Sequence, residues 1–181
     1  KLGIDFLLTS SQKCIALPPG LSLAGTSDRA LKKAESVENR GWYFDLLLME
    51  KHRLKDSTPM TPVLPLIYAL DFQLERIFTE GLEARFQRHT AMSQKVYSWM
   101  ESHDLKPYPA DNCRSRTVAT INNDKKWAIG DLNKFLMQKG MRIANGYGAI
   151  KDVTFRIATM GETSLADVDA LLSALEEYLK L

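Results

Sequence analysis

Three prolines within seven residues, Pro59, Pro62 and Pro65 in "TPMTPVLP", set the strongest limit on how this chain can fold. None can lie inside a helix, because proline lacks the backbone N–H and its ring collides with the preceding turn. Together they predict a stiff extended lead-in and then a helix start, where proline is tolerated. From Val63 the apolar residues Leu66, Ile67, Leu70, Leu74, Ile77 and Phe78 recur at helical spacing as far as Gly81. A second helix is predicted over residues 82–103, with Leu82, Phe86, Val96, Trp99 and Met100 on or near one face. A helix of that length runs about 33 Å, enough to bridge two domains.

On the N-terminal side of the prolines the pattern is different. "IDFLL" (Ile4–Leu8) and "GLSLAG" (Gly20–Gly25) are short apolar runs bounded by turn-formers, as buried strands are, with Pro18-Pro19-Gly20 between them. Ser27 is placed to cap a helix over "DRALKKAESVEN", with Asp28 in its first turn and Gly41 as its stop. The aromatics of "WYFDLLLMEKH" are expected in the core or at an interface. Beyond "KPYPADN" come a strand ("RTVATIN"), a helix ending on Gly140, a strand, a glycine-rich turn and a second strand. Ser164 and Asp167 then form the two halves of a cap for a C-terminal amphipathic helix. Strand, helix, strand pair and helix make a small α+β unit.

Composition excludes several partners. Lys and Arg number 24 against 22 acids, and no basic block is long enough for a nucleic-acid arm. The longest charge-free runs contain prolines and are too short to span a bilayer. Cys14 and Cys113, far apart in sequence, read as reduced thiols of a cytosolic protein rather than a disulfide framework. The chain opens without methionine or signal-peptide character, on what reads as an interior strand, and so is expected to be a piece of a longer protein.

The chemistry centres on Lys13 in "TSSQKCIALPPG". An amine held in an apolar, partly closed pocket can lose its proton and form a Schiff base with an aldehyde; the alternative is an ordinary lysine at a strand end. Cys14 beside it reads as a small buried residue. His52, His89 and His103 lack metal-ligand spacing, and Arg114 and Arg116 read as solvated or paired. "GYG" at Gly146–Gly148 can bring backbone close to a substrate, but Lys151 stands where a dinucleotide fingerprint needs glycine.

Three segments occur here in the order they take in one known family: "TSSQKCIALPPGLS", "TPMTPVLPLIYALDFQLERIFTEGLEARFQRH" and "GYGAIKDVTFRIATMG". They resemble class V aminotransferases, pyridoxal-phosphate enzymes of fold type I, and most closely the alanine–glyoxylate and serine–pyruvate branch, over nearly the whole chain. The resemblance implies an α/β fold, the C-terminal part of a fold type I transferase. Residues 1–80 would be the end of the cofactor-binding large domain, and residues 81–181 a linking helix and the small α+β domain. It implies pyridoxal 5'-phosphate as cofactor, with Lys13 carrying it and moving the substrate's α-proton, and Gln12 bonding its phosphate. Thr61 would reach the phosphate of a partner subunit in a cytoplasmic homodimer. Thr58 would add a second hydroxyl, where relatives can carry a longer tyrosine.

Arg156 matches the arginine that clamps the substrate carboxylate, a task its planar fork suits; the alternative is a strand arginine with its head in solvent. The implied reaction passes an amino group between a small amino acid (alanine or serine) and a 2-oxo acid (glyoxylate or pyruvate). A missing N-terminal half or a companion chain would supply the rest of the site. The phosphoserine aminotransferase branch, another class V enzyme and a non-catalytic α+β interaction fragment are the rivals, whereas Gln12 argues against the cysteine desulfurase branch, which has histidine before the lysine.

Overall fold

The computed structural model describes residues 2–181, which divide into two units between Arg76 and Ile77. In the first unit, strand β1 (Phe6–Ser10) pairs antiparallel with β2 (Ser22–Thr26), from Phe6 opposite Thr26 to Ser10 opposite Ser22. The first strand therefore lies two residues later than its apolar run implied. Both strands are largely exposed rather than buried, Leu7 at 63% and Leu8 at 62%.

Helix α1 (Asp28–Glu35) is capped as expected, the Ala30 N–H donating to Ser27 Oγ at 3.1 Å. The same hydroxyl donates to Asp5 at 2.7 Å, and Arg29 pairs with that carboxylate too. The helix stops at Glu35, short of the expected end. Ser36 closes it, and Asn39 and Gly41 both turn to positive φ. Trp42, Tyr43 and Phe44 are exposed rather than packed in a core, because they fall in the turn before α2 (Leu46–Arg53) instead of on its face.

The prolines act as anticipated. Helix α3 (Leu64–Glu80) begins two residues after Pro62 with Pro65 in its first turn. It ends at Gly81, whose φ of +85° suits glycine, and α4 (Leu82–Ser102) follows directly. The division between the units falls inside α3, so α4 lies wholly in the second unit.

The second unit adds β3 (Val118–Asn122), α5 (Ile129–Gln138), β4 (Ala144–Asn145), β5 (Thr154–Ala158) and α6 (Leu165–Leu179). The strands form an antiparallel sheet in the order β3-β5-β4. Strand alternation aims Ala119, Ile121, Phe155 and Ile157 into a core shared with Met92, Val96 and Met100 of α4, Leu132 and Leu136 of α5, and Leu172 and Leu175 of α6. The α6 cap forms in both halves, Asp167 N–H to Ser164 Oγ and Ser164 N–H to the Asp167 carboxylate.

One expected face is wrong. The start of α4 buries Arg85 and His89 while Leu82 and Phe86 are exposed. Arg85 is drawn in by acceptors: it donates to Glu80 at 2.8 Å, to Glu162 at 3.1 Å and to the Gly161 carbonyl at 3.1 Å.

Candidate active site

The lysine segment is a loop closed at its neck by one residue. Ser11 is fully buried. Its N–H donates to the Leu21 carbonyl at 3.0 Å, and its own carbonyl accepts from Leu17 N–H at 2.9 Å. Its hydroxyl donates to the Pro18 carbonyl at 2.7 Å and accepts from Leu21 N–H at 3.3 Å. Gln12 and Lys13 ride on the turn this creates, which closes with Ala16 N–H donating to the Lys13 carbonyl at 2.9 Å. The far side of the loop rests on the first turn of α3. A β-carbon on Gly20, whose φ is +134°, would come within 2.8 Å of Leu66 Cδ1.

Lys13 and Gln12 are exposed, and among the described residues neither side chain has a hydrogen-bond partner. Two expectations change here. The described chain does not enclose Lys13 in an apolar pocket, and Cys14 is exposed rather than buried, because Ser11 alone of this turn faces inward.

Thr58 and Thr61 lie in the proline lead-in to α3, in the same unit as the lysine loop. The Thr58 hydroxyl donates its one hydrogen to the Met60 carbonyl at 2.6 Å. Thr61 is exposed, and its hydroxyl has no partner among the described residues. Of the two, Thr61 is the one with a hydrogen to offer a phosphate oxygen. Beside them is a hollow of about 370 Å³ lined in part by Arg53, Ser57, Thr58, Pro62 and Ile67.

Arg156 belongs to the second unit and is half-buried on the middle strand. Its register partners Thr120 and Ala144 share its sheet face, opposite the core face of Phe155 and Ile157. Its Nε–H donates to the Asn145 carbonyl at 3.0 Å. The two terminal NH₂ groups have no protein acceptor among the described residues.

The "GYG" turn is built for its own loop. A β-carbon on Gly146 would meet the Ile150 carbonyl oxygen at 1.9 Å and Thr154 Oγ1 at 2.6 Å. Gly146 is thus required by internal packing.

Sequence reasoning missed Ser11, Asn145 and the Arg85–Glu80–Arg88 cluster. Arg88, then Arg85, by hydrogen bonding hold the Glu80 carboxyl at about 2 against burial, which pushes the other way. Among the described residues no group of three or more histidines, cysteines or carboxylates is placed to hold a metal ion, and no helix is long and apolar enough to cross a membrane.

A primary amine and a carboxamide side by side on one loop suit an aldehyde that also carries a phosphate, so the donor set fits pyridoxal 5'-phosphate. The model of the family "Aminotransferase class-V" matches residues 1–171. The chain is 32% identical to the soluble hydrogenase small subunit of Synechococcus sp., over 98% of this chain and 46% of that one. It is equally 32% identical to alanine–glyoxylate aminotransferase of Oryctolagus cuniculus, over 98% of this chain and 48% of the relative. Among solved structures it superposes on alanine–glyoxylate aminotransferase from Nostoc sp. with a TM-score of 0.89 at 26% identity, covering 98% of this chain and 48% of the other. The chain spans about half the length of the curated relatives it matches.

Proposed function

This chain belongs to the aminotransferase class-V family, and we propose that it is the part of a pyridoxal-phosphate-dependent aminotransferase that carries both the cofactor lysine and the substrate-carboxylate arginine. The observation that carries the reading is the lysine loop. A fully buried serine and a glycine packed on α3 hold Gln12 and Lys13 side by side, with their polar ends unclaimed.

Bound pyridoxal 5'-phosphate supplies an aldehyde for an amine to capture and a ring that draws electrons from the substrate's α-carbon. Lys13 is the amine that holds it at rest. The same amine, when not holding the cofactor, would accept the substrate's α-proton as general base and donate it again as general acid. Gln12 donates to the phosphate. Thr61 does the same for the other subunit of a homodimer, with Thr58 contributing only if its bond to Met60 opens. Arg156 offers its two terminal NH₂ groups to the substrate carboxylate.

Residues 1–80 then form the end of the large domain, and residues 81–181 the linking helix and small domain. The N-terminal half, or a companion chain, supplies the acid for the ring nitrogen, the phosphate bed and the apolar cover over Lys13. The exposed thiols of Cys14 and Cys113 suit a reducing compartment such as the cytoplasm. The resemblance favours alanine or serine as donor and glyoxylate or pyruvate as acceptor.

The test is the whole protein loaded with pyridoxal 5'-phosphate. The expected result is a visible absorbance band that Lys13→Ala abolishes together with amino transfer from alanine to glyoxylate. A band of unchanged position and intensity in Lys13→Ala would overturn the reading, and transfer from phosphoserine alone would move the protein to the phosphoserine branch.

A further inference from the structure

Arg156 is aimed by a single bond, and the residue that accepts it is itself held by a side-chain clasp. The Nε–H donates to the backbone carbonyl of Asn145. Asn145 ends β4, an edge strand of only two residues, and the peptide carrying its carbonyl is held on the other side by Gly146 N–H, which donates to the Thr154 carbonyl at 2.8 Å. The Asn145 side chain adds a second hold. Its Oδ1 accepts from Gly146 N–H at 2.7 Å and from Asp152 N–H at 3.0 Å, and its Nδ2 donates to Asp152 Oδ1 at 2.6 Å. Asp152 is pinned from behind, its carbonyl accepting from Asn123 Nδ2 at 3.2 Å. The loop over residues 145–152 is thereby tied across its neck, with the Ile150 carbonyl filling the space beside Gly146.

We propose that Asn145 and Asp152 form a latch that aims the Arg156 guanidinium and so sets the affinity for the substrate carboxylate; the proposal rests on the role of Arg156 given above. Because Nε is occupied, the side-on edge of the guanidinium is closed. A carboxylate must approach end-on, against the two terminal NH₂ groups. Small errors in that direction weaken a two-pronged pair sharply. The two residues are positioning residues. Asp152 contributes an acceptor oxygen to an amide, and no ion pair joins it to Arg156, so its charge is dispensable while its oxygen is not.

Asp152 has a φ of +64°, where asparagine and glycine are tolerated and most other residues are strained. In the full-length protein loaded with pyridoxal 5'-phosphate, Asp152→Gly removes the Asn145 Nδ2–Asp152 Oδ1 arm of the latch without adding strain and keeps the backbone N–H bond to Asn145 Oδ1, whereas Asp152→Asn keeps both. Asp152→Gly is expected to raise the KM for L-alanine and the Kd for acetate about tenfold, with kcat changed less than about threefold. Asp152→Asn is expected to stay within about twofold of the parent on all three. Asn145→Ala removes all three side-chain bonds of the latch and is expected to raise both constants at least as far as Asp152→Gly does.

Unchanged acetate binding in Asp152→Gly, a loss confined to kcat, or equal damage from Asp152→Asn would overturn the latch. Arg156→Gln separates the two levels. If it weakens acetate by about a hundredfold while Asp152→Gly does nothing, the latch alone is wrong. If Arg156→Gln leaves acetate binding untouched, the role of Arg156 and the latch fall together.

Discussion

Ser11 and Gly146 are the residues whose substitution the structure makes most legible. Every polar atom of Ser11 is bonded within the loop that presents Lys13. Ser11→Ala removes the donor to the Pro18 carbonyl and is expected to cost about 1–3 kcal/mol, seen in the full-length protein as a lower denaturant midpoint at unchanged slope. Gly146→Ala must open the loop, since the new carbon would overlap the Ile150 carbonyl. The expected loss is about 3 kcal/mol or more, read in a thermal melt. Gly148→Ala is the control. Gly148 has φ of +60° but open space around it, so only the backbone penalty of about 1 kcal/mol applies. Neither large effect can be read along the chain, because a serine beside a glutamine and a glycine beside a tyrosine look the same whether or not a carbonyl lies over them.

At the scale of elements, the helix ends carry the information. The α6 cap was readable from Ser164 and Asp167 alone, because the donor and acceptor of a cap are three residues apart. The corner between α3 and α4 was readable only as a break at Gly81. What holds the corner is Glu80, gripped by Arg88 at 2.6 Å and Arg85 at 2.8 Å. Its carboxyl is held at about 2, below the ordinary 4.5, first through Arg88. Because the folded value is depressed, the stabilisation is fully present above about pH 5 and is lost as pH falls towards 2. With the carboxylate about 26% exposed, an effect of order 2 kcal/mol is expected after solvent screening. Denaturant titrations at pH 6 and pH 3 check it: the stability difference between the parent and Glu80→Gln is expected to shrink at the lower pH.

Taken whole, the molecule keeps its buried apolar cluster, from Met92 to Leu175, within the second unit. In the first unit Leu7, Leu8, Trp42, Phe44, Tyr68 and Phe72 are all exposed, and Ala34 is the one buried apolar residue described before Arg76. A fragment of residues 77–181 is therefore expected to melt cooperatively, with its slowest-exchanging amides in α4, β3, β5 and α6. Residues 1–76 alone are expected to melt without a sharp transition and to bind a hydrophobic dye. Hydrogen exchange and calorimetry on the two fragments check both.

By itself the sequence determined the proline-led start of α3, the break at Gly81, the α6 cap and the alternation that sets Arg156 apart from Phe155 and Ile157. Each of these depends on neighbours a few residues away, which is the range over which backbone sterics and side-chain periodicity act. Only the tertiary structure decided that Arg85 turns inward instead of Leu82 and Phe86, that Lys13 rides on a serine-cinched loop, and that Asn145 takes the Arg156 Nε. Those outcomes depend on acceptors brought in by folding from up to 77 residues away along the chain, and a polar side chain goes where such an acceptor waits, whatever its own neighbours in sequence prefer.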